Sequence, residues 1–166
     1  MLGATDSLVR ADGQVMWGPV MGYACSDNSF VAPPAPADVT IELVGRGGVE
    51  PLFEVPSFDM AVGRDGDDLR PILYAAVARH GGDIFGLAGA GLESEGLFEL
   101  GVQVRPAWQG RGIGRAVVGA VSRVVLEAGA APVYTTWAAN LGSRNLCLGL
   151  GYRPAWYEAY ALDETA

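Results

Sequence analysis

A glycine-rich turn in this 166-residue chain separates a strand-like apolar segment from a helix-like one. It reads Gln109-Gly110-Arg111-Gly112-Ile113-Gly114 and is followed by Arg115. Glycine allows a backbone to approach a ligand without a Cβ in the way. The first turn of a helix adds unpaired N–H groups and a partial positive charge, which suit a phosphate. Because Arg111 and Arg115 could add charge-assisted hydrogen bonds, the turn predicts a phosphate site.

The two best-known phosphate loops do not fit this turn. A nucleotide P-loop needs a lysine, and the chain contains none. The dinucleotide fingerprint would begin at Gly110 and would require a third glycine where Arg115 stands. The turn is therefore neither of these two phosphate loops, and by itself it could also be an ordinary tight turn.

Several apolar segments before the turn predict β-strands, at residues 39–44, 72–78, 84–90 and 97–104. The last three are joined by short turns at residues 80–83 and 93–96, which is typical of an antiparallel meander. A short helix is predicted within residues 49–58, ending at Pro56.

Apolar residues recur at helical spacing after the turn and predict a helix over residues 113–128. The apolar stripe comprises Ile113, Ala116, Val117, Ala120, Val121, Val124, Val125 and Ala128. The opposite face is assigned Arg115, Ser122, Arg123 and Glu127. A strand at 133–137, a helix at 143–150 and a strand at 155–162 follow, so we expect a mixed α/β sheet.

Residues 1–38 give the weakest pattern. A strand could lie within residues 15–23, although Gly18, Pro19 and Gly22 interrupt it. Prolines at 33–36 indicate an extended connector. We therefore predict an N-terminal extension or partial subdomain at residues 1–38 and the main domain at residues 39–166.

The turn matches the signature Gln/Arg-x-x-Gly-x-Gly/Ala of the GNAT superfamily of N-acetyltransferases at every fixed position. The preceding residues 102–109 resemble the lead-in of that family, and residues 140–146 and 150–154 resemble its second cofactor-side segment. The resemblance covers about residues 72–160. It implies a GNAT-like fold, an antiparallel meander followed by helix, strand, helix and strand. It also implies acetyl-CoA as cofactor and direct attack of a primary amine on the thioester.

By this resemblance, strands 97–104 and 133–137 splay apart and the pantetheine arm of acetyl-CoA fills the gap. Backbone groups of Val102 and Val104 would pair with the arm, and N–H groups from Gln109 to Gly114 would hold the pyrophosphate. Asn140 and Ser143 would lie near the other side of the arm. Both residue types are also good helix N-caps, so a purely structural role stays open for them.

Glu99 is the candidate general base, since several family members keep their base near this position. An attacking alkylamine has a pKa of about 10.4 and must lose a proton. Flanking Phe98 and Leu100 suggest partial burial of Glu99, although it could also be a solvent-facing residue of an alternating strand. Trp137 could line an acceptor pocket or pack in the core.

The general acid is where the sequence departs from the family pattern. Many members carry a tyrosine seven residues after the asparagine, and that position holds Cys147. A buried cysteine usually behaves as a small hydrophobe, and its S–H is a weak donor. Either the thiolate leaves unaided, helped by backbone N–H groups, or another residue protonates it. Tyr134 and Tyr160 are candidates for that role, although each could instead pack in the core or on a face of the sheet. Without the tyrosine, a non-catalytic acyl-CoA-binding sensor or interaction module remains the second hypothesis.

Charge is distributed unevenly along the chain. The whole chain carries −8, whereas residues 97–154, with six arginines and two glutamates, carry +4. A basic half suits a polyanionic cofactor, and the acidic remainder argues against nucleic-acid binding. The expected acceptor is an amine of a small molecule or peptide.

Two cysteines, Cys25 and Cys147, show neither disulfide nor zinc spacing, so we expect no metal. The sequence shows no signal-peptide pattern and no membrane-spanning apolar run, which favours a cytoplasmic protein without membrane contact. Only one strand fits after Gly151, where the family usually has a pair. Residues 1–38 or a partner subunit could supply the other, so a homodimer is plausible.

Overall fold

The computed structural model describes residues 14–34, 36–37, 39–63 and 71–163. The strands within these ranges are β1 (Gln14–Ala24), β2 (Thr40–Val44), β3 (Ile72–His80), β4 (Asp83–Ser94), β5 (Leu97–Val104), β6 (Ala131–Trp137) and β7 (Arg153–Asp163). The helices are α1 (Ile113–Glu127) and α2 (Leu141–Gly149), and 3-10 turns lie at Glu50–Glu54, Asp59–Ala61 and Pro106–Trp108. All described strands form one sheet in the order β2-β3-β4-β5-β6-β1-β7, which confirms the predicted mixed α/β class.

The predicted meander is present as β3, β4 and β5, each antiparallel to the next. Gly81 and Gly82, at φ 58° and 93°, form the first turn, and Gly96, at φ 76°, lies in the second. These backbone conformations favour glycine, which explains the glycines that mark the turns in the sequence. The short helix expected within residues 49–58 is the 3-10 turn Glu50–Glu54.

Each face of the meander is covered by a different part of the chain. α1 and α2 cover one face, with Ile113, Val117 and Val121 buried in the core. The segment from Val49 to Val62 covers the other face and packs on the middle of β3 and β4. Both faces of the sheet are thus covered near β4. The edge of β5 that points away from β4 lies between these two covered faces.

One side chain assigned to the outer face of α1 is buried. Ser122 is fully buried, and its Oγ donates to the Val118 carbonyl at 2.7 Å and lies 2.6 Å from the Tyr152 hydroxyl. The side of α1 that carries Ser122 is buried because the segment before β2 packs on the helix. A Cβ on Gly119 would lie 2.6 Å from Pro33 of that segment. Ser122 can be buried there because both of its hydrogen-bonding functions are satisfied.

Residues 14–24 supply the second strand at the far side of the sheet. β1 lies between β6 and β7 and is antiparallel to both, with Val20 opposite Trp137 and Glu158. The chain therefore fills this position itself, without a partner subunit. The domain bounds at residue 38 stay a prediction, and residues 1–13 lie outside the described residues.

Candidate active site

The sheet opens between β5 and β6. These parallel strands are paired only from Leu97 opposite Ala131 to Glu99 opposite Val133. Beyond Glu99 the strands diverge, and a cavity of about 480 Å³ lies between them, lined by residues 99–103 and 134–137. The predicted splay is thus present at the predicted strands, and the cavity volume is in the range of small-molecule sites, roughly 300–1,000 Å³.

The backbone of β5 presents hydrogen-bonding groups to this gap. Arg105 N–H donates to the Phe85 carbonyl of β4 at 2.8 Å. Because backbone groups alternate in direction along an antiparallel strand, those of Val102 and Val104 point away from β4 and toward β6. One of them has a partner, since Gln109 Nε2 donates to the Val104 carbonyl at 3.1 Å.

The glycine-rich turn connects the end of the gap to α1. Gly110 and Gly112 have φ of 75° and 79°, and a Cβ on either would meet no atom within 4 Å. Gly112 is the N-cap, with no side chain capping the helix. The first helical hydrogen bond runs from Ala116 N–H to Gly112 at 3.0 Å, so the N–H groups of residues 113–115 precede it. These groups surround open space at the positive end of a helix.

The other residues of the turn have structural reasons of their own. A Cβ on Gly114 would lie 3.0 Å from Leu146 Cδ1, so this glycine permits close packing of α1 on α2. The Ile113 side chain is buried against Gly86, which leaves only its backbone to face a ligand.

The two arginines of the turn lie in different places. The Arg111 guanidinium lies 4.8 Å from the Trp108 ring centroid, and Trp108 stacks on Phe85 at 3.9 Å. The Arg115 guanidinium lies against Gly149, where an added Cβ would be 2.5 Å from its Nη2. Arg111 thus stays beside the turn, whereas Arg115 extends toward the C-terminal end of α2.

Asn140 and Ser143 lie on the β6 side of the cavity, and both line it. Asn140 is also the N-cap of α2, because its Oδ1 accepts from Ser143 N–H at 3.1 Å. Asn140 therefore has the capping role considered from the sequence and lines the cavity as well.

Glu99 lies at the point where the strands separate. It is half-buried, lines the cavity and accepts a hydrogen bond from Thr135 Oγ1. Thr135 and Trp137 are two residues apart in β6, so their side chains lie on the same face of the strand. Because Thr135 contacts Glu99, all three side chains face the same side of the gap. This is also the side of residues 49–62, because Gln103, two pleats along β5 from Glu99, accepts from Ala61 N–H at 3.2 Å.

The candidate acids differ in their access to the cavity. Cys147 is fully buried, and its Sγ donates to the Arg144 carbonyl at 3.2 Å. Burial raises its pKa to about 11, so it behaves as a core side chain. Tyr134 lines the cavity from the helix-covered face; burial raises its pKa, and a hydrogen bond with Ser143 opposes this. Tyr160 lies on β7, beside Trp17.

Some lining residues were missed from the sequence, notably Trp17, Met60 and Gln103. Gly18 and Pro19 interrupt the strand pattern next to Trp17, whereas in the structure they form a bulge within β1. Periodicity therefore did not indicate that Trp17 lines the cavity. Met60 lies in a 3-10 turn without a periodic pattern, so its position depends on tertiary packing alone.

Comparison with known proteins agrees with this geometry. The model of the acetyltransferase (GNAT) family matches residues 48–152, which is more than half of the chain. The chain belongs to the GNAT acetyltransferase family. The matched residues of this GNAT chain include β5, the glycine-rich turn, both helices and β6. No curated protein matches it.

Several solved structures share the GNAT fold. GCN5-related N-acetyltransferases from Kribbella flavida and Sphaerobacter thermophilus superpose with TM-scores of 0.70 and 0.66 at 19% and 21% identity, covering 95% and 96% of this chain. A GCN5-related N-acetyltransferase-like protein from Streptococcus suis gives 0.69 at 19% identity and 96% coverage. The chain spans 63%, 56% and 66% of those structures, respectively, so they are longer proteins. At these identities the likeness shows the fold alone.

Two other features are absent from the described residues. No helix there is long and apolar enough to cross a membrane. No group of three or more His, Cys, Asp or Glu side chains in the same ranges is arranged to hold a metal ion.

Proposed function

We propose that this GNAT protein is an acetyl-CoA-dependent N-acetyltransferase acting on a primary amine of a small molecule or peptide. One observation carries the proposal: the gap between β5 and β6 leads directly to the glycine-rich turn at the start of α1. An edge of β5 whose backbone groups do not pair with β6 thus continues into a set of helix N-terminal N–H groups. This sequence of groups suits a ligand with an amide-bearing arm and a pyrophosphate.

The residues present fit the two parts of acetyl-CoA. The pantetheine amides would pair with Val102 and with the N–H of Val104, as an additional strand would. The pyrophosphate would lie against the N–H groups of residues 112–115, where the positive φ of Gly110 and Gly112 keeps side chains away. No acidic residue lies in the first turn of α1 to repel it, and Arg111 is adjacent.

Glu99 would act as the general base. When bound, acetyl-CoA supplies an acetyl group activated as a thioester. The Glu99 carboxylate would take one proton from the acceptor ammonium. The free amine could then form a C–N bond as the C–S bond breaks, and the second proton lost by the nitrogen would pass to solvent. Thr135 would position Glu99 through its hydrogen bond, since the threonine hydroxyl donates to one of the two carboxylate oxygens.

Tyr134 would protonate the leaving sulfur. It lines the gap from the face opposite Glu99, and burial keeps its hydroxyl protonated by raising its pKa. The phenol proton goes to the thiolate, and Tyr134 regains a proton through Ser143 and solvent. Cys147 is not assigned this role, because it is fully buried on the inner side of α2.

Calorimetric titration with acetyl-CoA, and with CoA for comparison, tests the cofactor assignment. Saturable one-to-one binding is expected. Gly112→Asp should abolish it by placing a side chain and a negative charge at the pyrophosphate. Gly129→Asp is the matched control, since Gly129 also has positive φ, 76°, and open space around a Cβ, but lies at the other end of α1. Equal affinity in both variants would overturn the assignment.

A non-catalytic acyl-CoA-binding module is the second candidate. The observation that favours it is Cys147 at the position where many relatives have the acidic tyrosine. Binding of acetyl-CoA without acetyl transfer to any member of a broad amine panel would support this candidate over the enzyme.

A further inference from the structure

Two indoles form the outer wall of the cavity on the Glu99 side. Trp17 of β1 and Trp137 of β6 meet edge-to-face with ring centroids 4.1 Å apart. Both line the cavity, yet they remain 39% and 41% exposed. Large aromatic surfaces left this open beside a cavity are available to a ligand.

A bulge in β1 explains how Trp17 reaches this position. The register of β1 against β7 shifts between Trp17 and Val20, and Gly18 has φ 126°. A bulge bends its strand and redirects the side chain next to it. The irregularity thus allows Trp17 to face Trp137 while Val20 keeps its place opposite that residue.

The facing wall is a backbone turn seated directly on the sheet. Gly89 and Gly101 are cross-strand partners, and a Cβ on either would lie 2.3 or 2.2 Å from the carbonyl oxygens of Ala61 and Met60. These two glycines bring the turn Asp59–Ala61 close to β5, so that Met60 and Ala61 line the cavity. The acceptor side is therefore a cleft between the two indoles and the apolar residues Met60 and Ala61 of this turn.

The described part of this cleft contains one carboxyl group. Among the described residues that line the cavity, Glu99 is the only acidic residue, and none of them is an arginine. A carboxylate beside indole rings attracts a cation through both charge and the aromatic quadrupole. A carboxylate on the ligand would be repelled by that of Glu99.

On the basis of the proposed function, we propose that the acceptor is an arylalkylamine-like compound. Its primary ammonium lies at Glu99, its flat apolar group packs between Trp17, Trp137 and Met60, and no carboxylate adjoins the nitrogen. Trp17 is then a specificity-determining residue. Aminosugars are disfavoured, because Met60, Ala61 and the faces of the two indoles offer no side-chain hydrogen bond to their many hydroxyls.

Acetyl transfer from acetyl-CoA to four amines tests the class directly. The probes are 2-phenylethylamine, phenylalanine, ethanolamine and glucosamine. Compared with 2-phenylethylamine, phenylalanine adds a carboxylate, ethanolamine lacks the ring, and glucosamine carries several hydroxyls. We expect kcat/KM for 2-phenylethylamine to exceed that for each of the others by about tenfold or more. A preference for glucosamine, ethanolamine or phenylalanine would overturn the proposal.

Trp17→Ala should raise KM for 2-phenylethylamine by about tenfold and leave KM for acetyl-CoA and for ethanolamine unchanged. Tyr157→Ala is the control, since Tyr157 is a 75% exposed aromatic residue of β7 that does not line the cavity. An equal effect on both amines, or an equal effect of both variants, would contradict the role of Trp17.

Equilibrium binding separates this inference from the proposed function. If no amine is acetylated, calorimetry with 2-phenylethylamine in the presence of CoA still reports on the cleft. Binding that Trp17→Ala weakens would support the acceptor class while the proposed catalysis fails. Acetylation of other amines without binding of 2-phenylethylamine would sustain the catalysis and reject the acceptor class.

Discussion

The side chain of Gln109 donates a hydrogen bond from Nε2 to the carbonyl oxygen of Val104, 3.1 Å away. This bond joins the first residue of the glycine-rich turn to the last residue of β5. The intervening residues form a 3-10 turn, in which Trp108 N–H donates to Arg105. The amide of Gln109 thus closes a small loop and fixes the turn relative to the gap.

Gln109→Leu should weaken acetyl-CoA binding. It removes this donor, so the turn loses its fixed position and the affinity is expected to fall about tenfold, as for one lost hydrogen bond to a preorganised loop. Because Gln109 is exposed, the melting temperature should change little. Gln109→Arg retains a donor and should bind nearly as the original chain does. Calorimetry on the three proteins checks this, and equal affinities would contradict it.

Gly101→Ala should destabilise the fold. Its Cβ would lie 2.2 Å from the Met60 carbonyl oxygen, so the Asp59–Ala61 turn must move away from the sheet. Overpacking of this kind costs about 1–3 kcal/mol. Gly142→Ala is the control: an added Cβ there would lie 3.6 Å from its nearest neighbour, in the first turn of α2. Denaturant unfolding should show a lower midpoint for Gly101→Ala only.

Glu99→Gln should reduce turnover without affecting cofactor affinity. A general base contributes about 10²–10⁴-fold, and the amide cannot accept the ammonium proton. Thr135→Val should cause a smaller loss, since Glu99 keeps its charge but loses its orienting donor, and Thr135→Ser should restore the rate. Steady-state kinetics and calorimetry together check this. An unaltered kcat in Glu99→Gln would remove Glu99 from the mechanism.

Tyr134→Phe and Cys147→Ala distinguish the two candidate acids. Tyr134 lines the gap, so loss of its hydroxyl should lower kcat by about 10²-fold while KM for acetyl-CoA stays similar. Cys147→Ala alters a buried side chain of α2 and should leave kcat nearly unchanged. Melting temperatures of both variants control for misfolding. The reverse order of effects would assign the proton to the thiol.

Alkaline pH should destabilise the protein, in part through Cys147. Burial raises the pKa of this thiol from 9.0 to about 11. The unfolded thiol therefore releases its proton at lower pH than the folded one, so the free energy of unfolding falls as pH rises from 9 toward 11. The slope from one such group is roughly 1 kcal/mol per pH unit. Denaturant unfolding across this pH range should give a flatter slope for Cys147→Ala.

The sequence was sufficient for the parts of the site that depend on local pattern. The glycine-rich turn and α1 follow from glycine conformation and helical spacing, and the meander follows from its turn residues. The splay itself was not visible in any spacing; its expected position came from the family resemblance. Asn140 was ambiguous for a physical reason, since one amide can cap a helix and line a cavity together.

The parts that escaped prediction depend on contacts between distant segments. Ser122 looks like a surface residue on α1 until Tyr152, thirty positions away, provides its partner. Trp17 lies in a strand that glycine and proline interrupt, and its place beside Trp137 depends on a bulge. Single-sequence periodicity contains no information on either pairing.

The insertion of β1 between β6 and β7 has a consequence for how the protein is made. On the ribosome, residues 14–24 emerge well before residues 131–137 and 153–163, with which they pair. β1 must therefore wait, unpaired, while the meander and α1 assemble from contacts that are much closer in sequence. Since such distant pairings are slow to form, insertion of β1 should be the late step of folding. Because β1 also carries Trp17, the acceptor cleft is then finished only when the last strand has been synthesised.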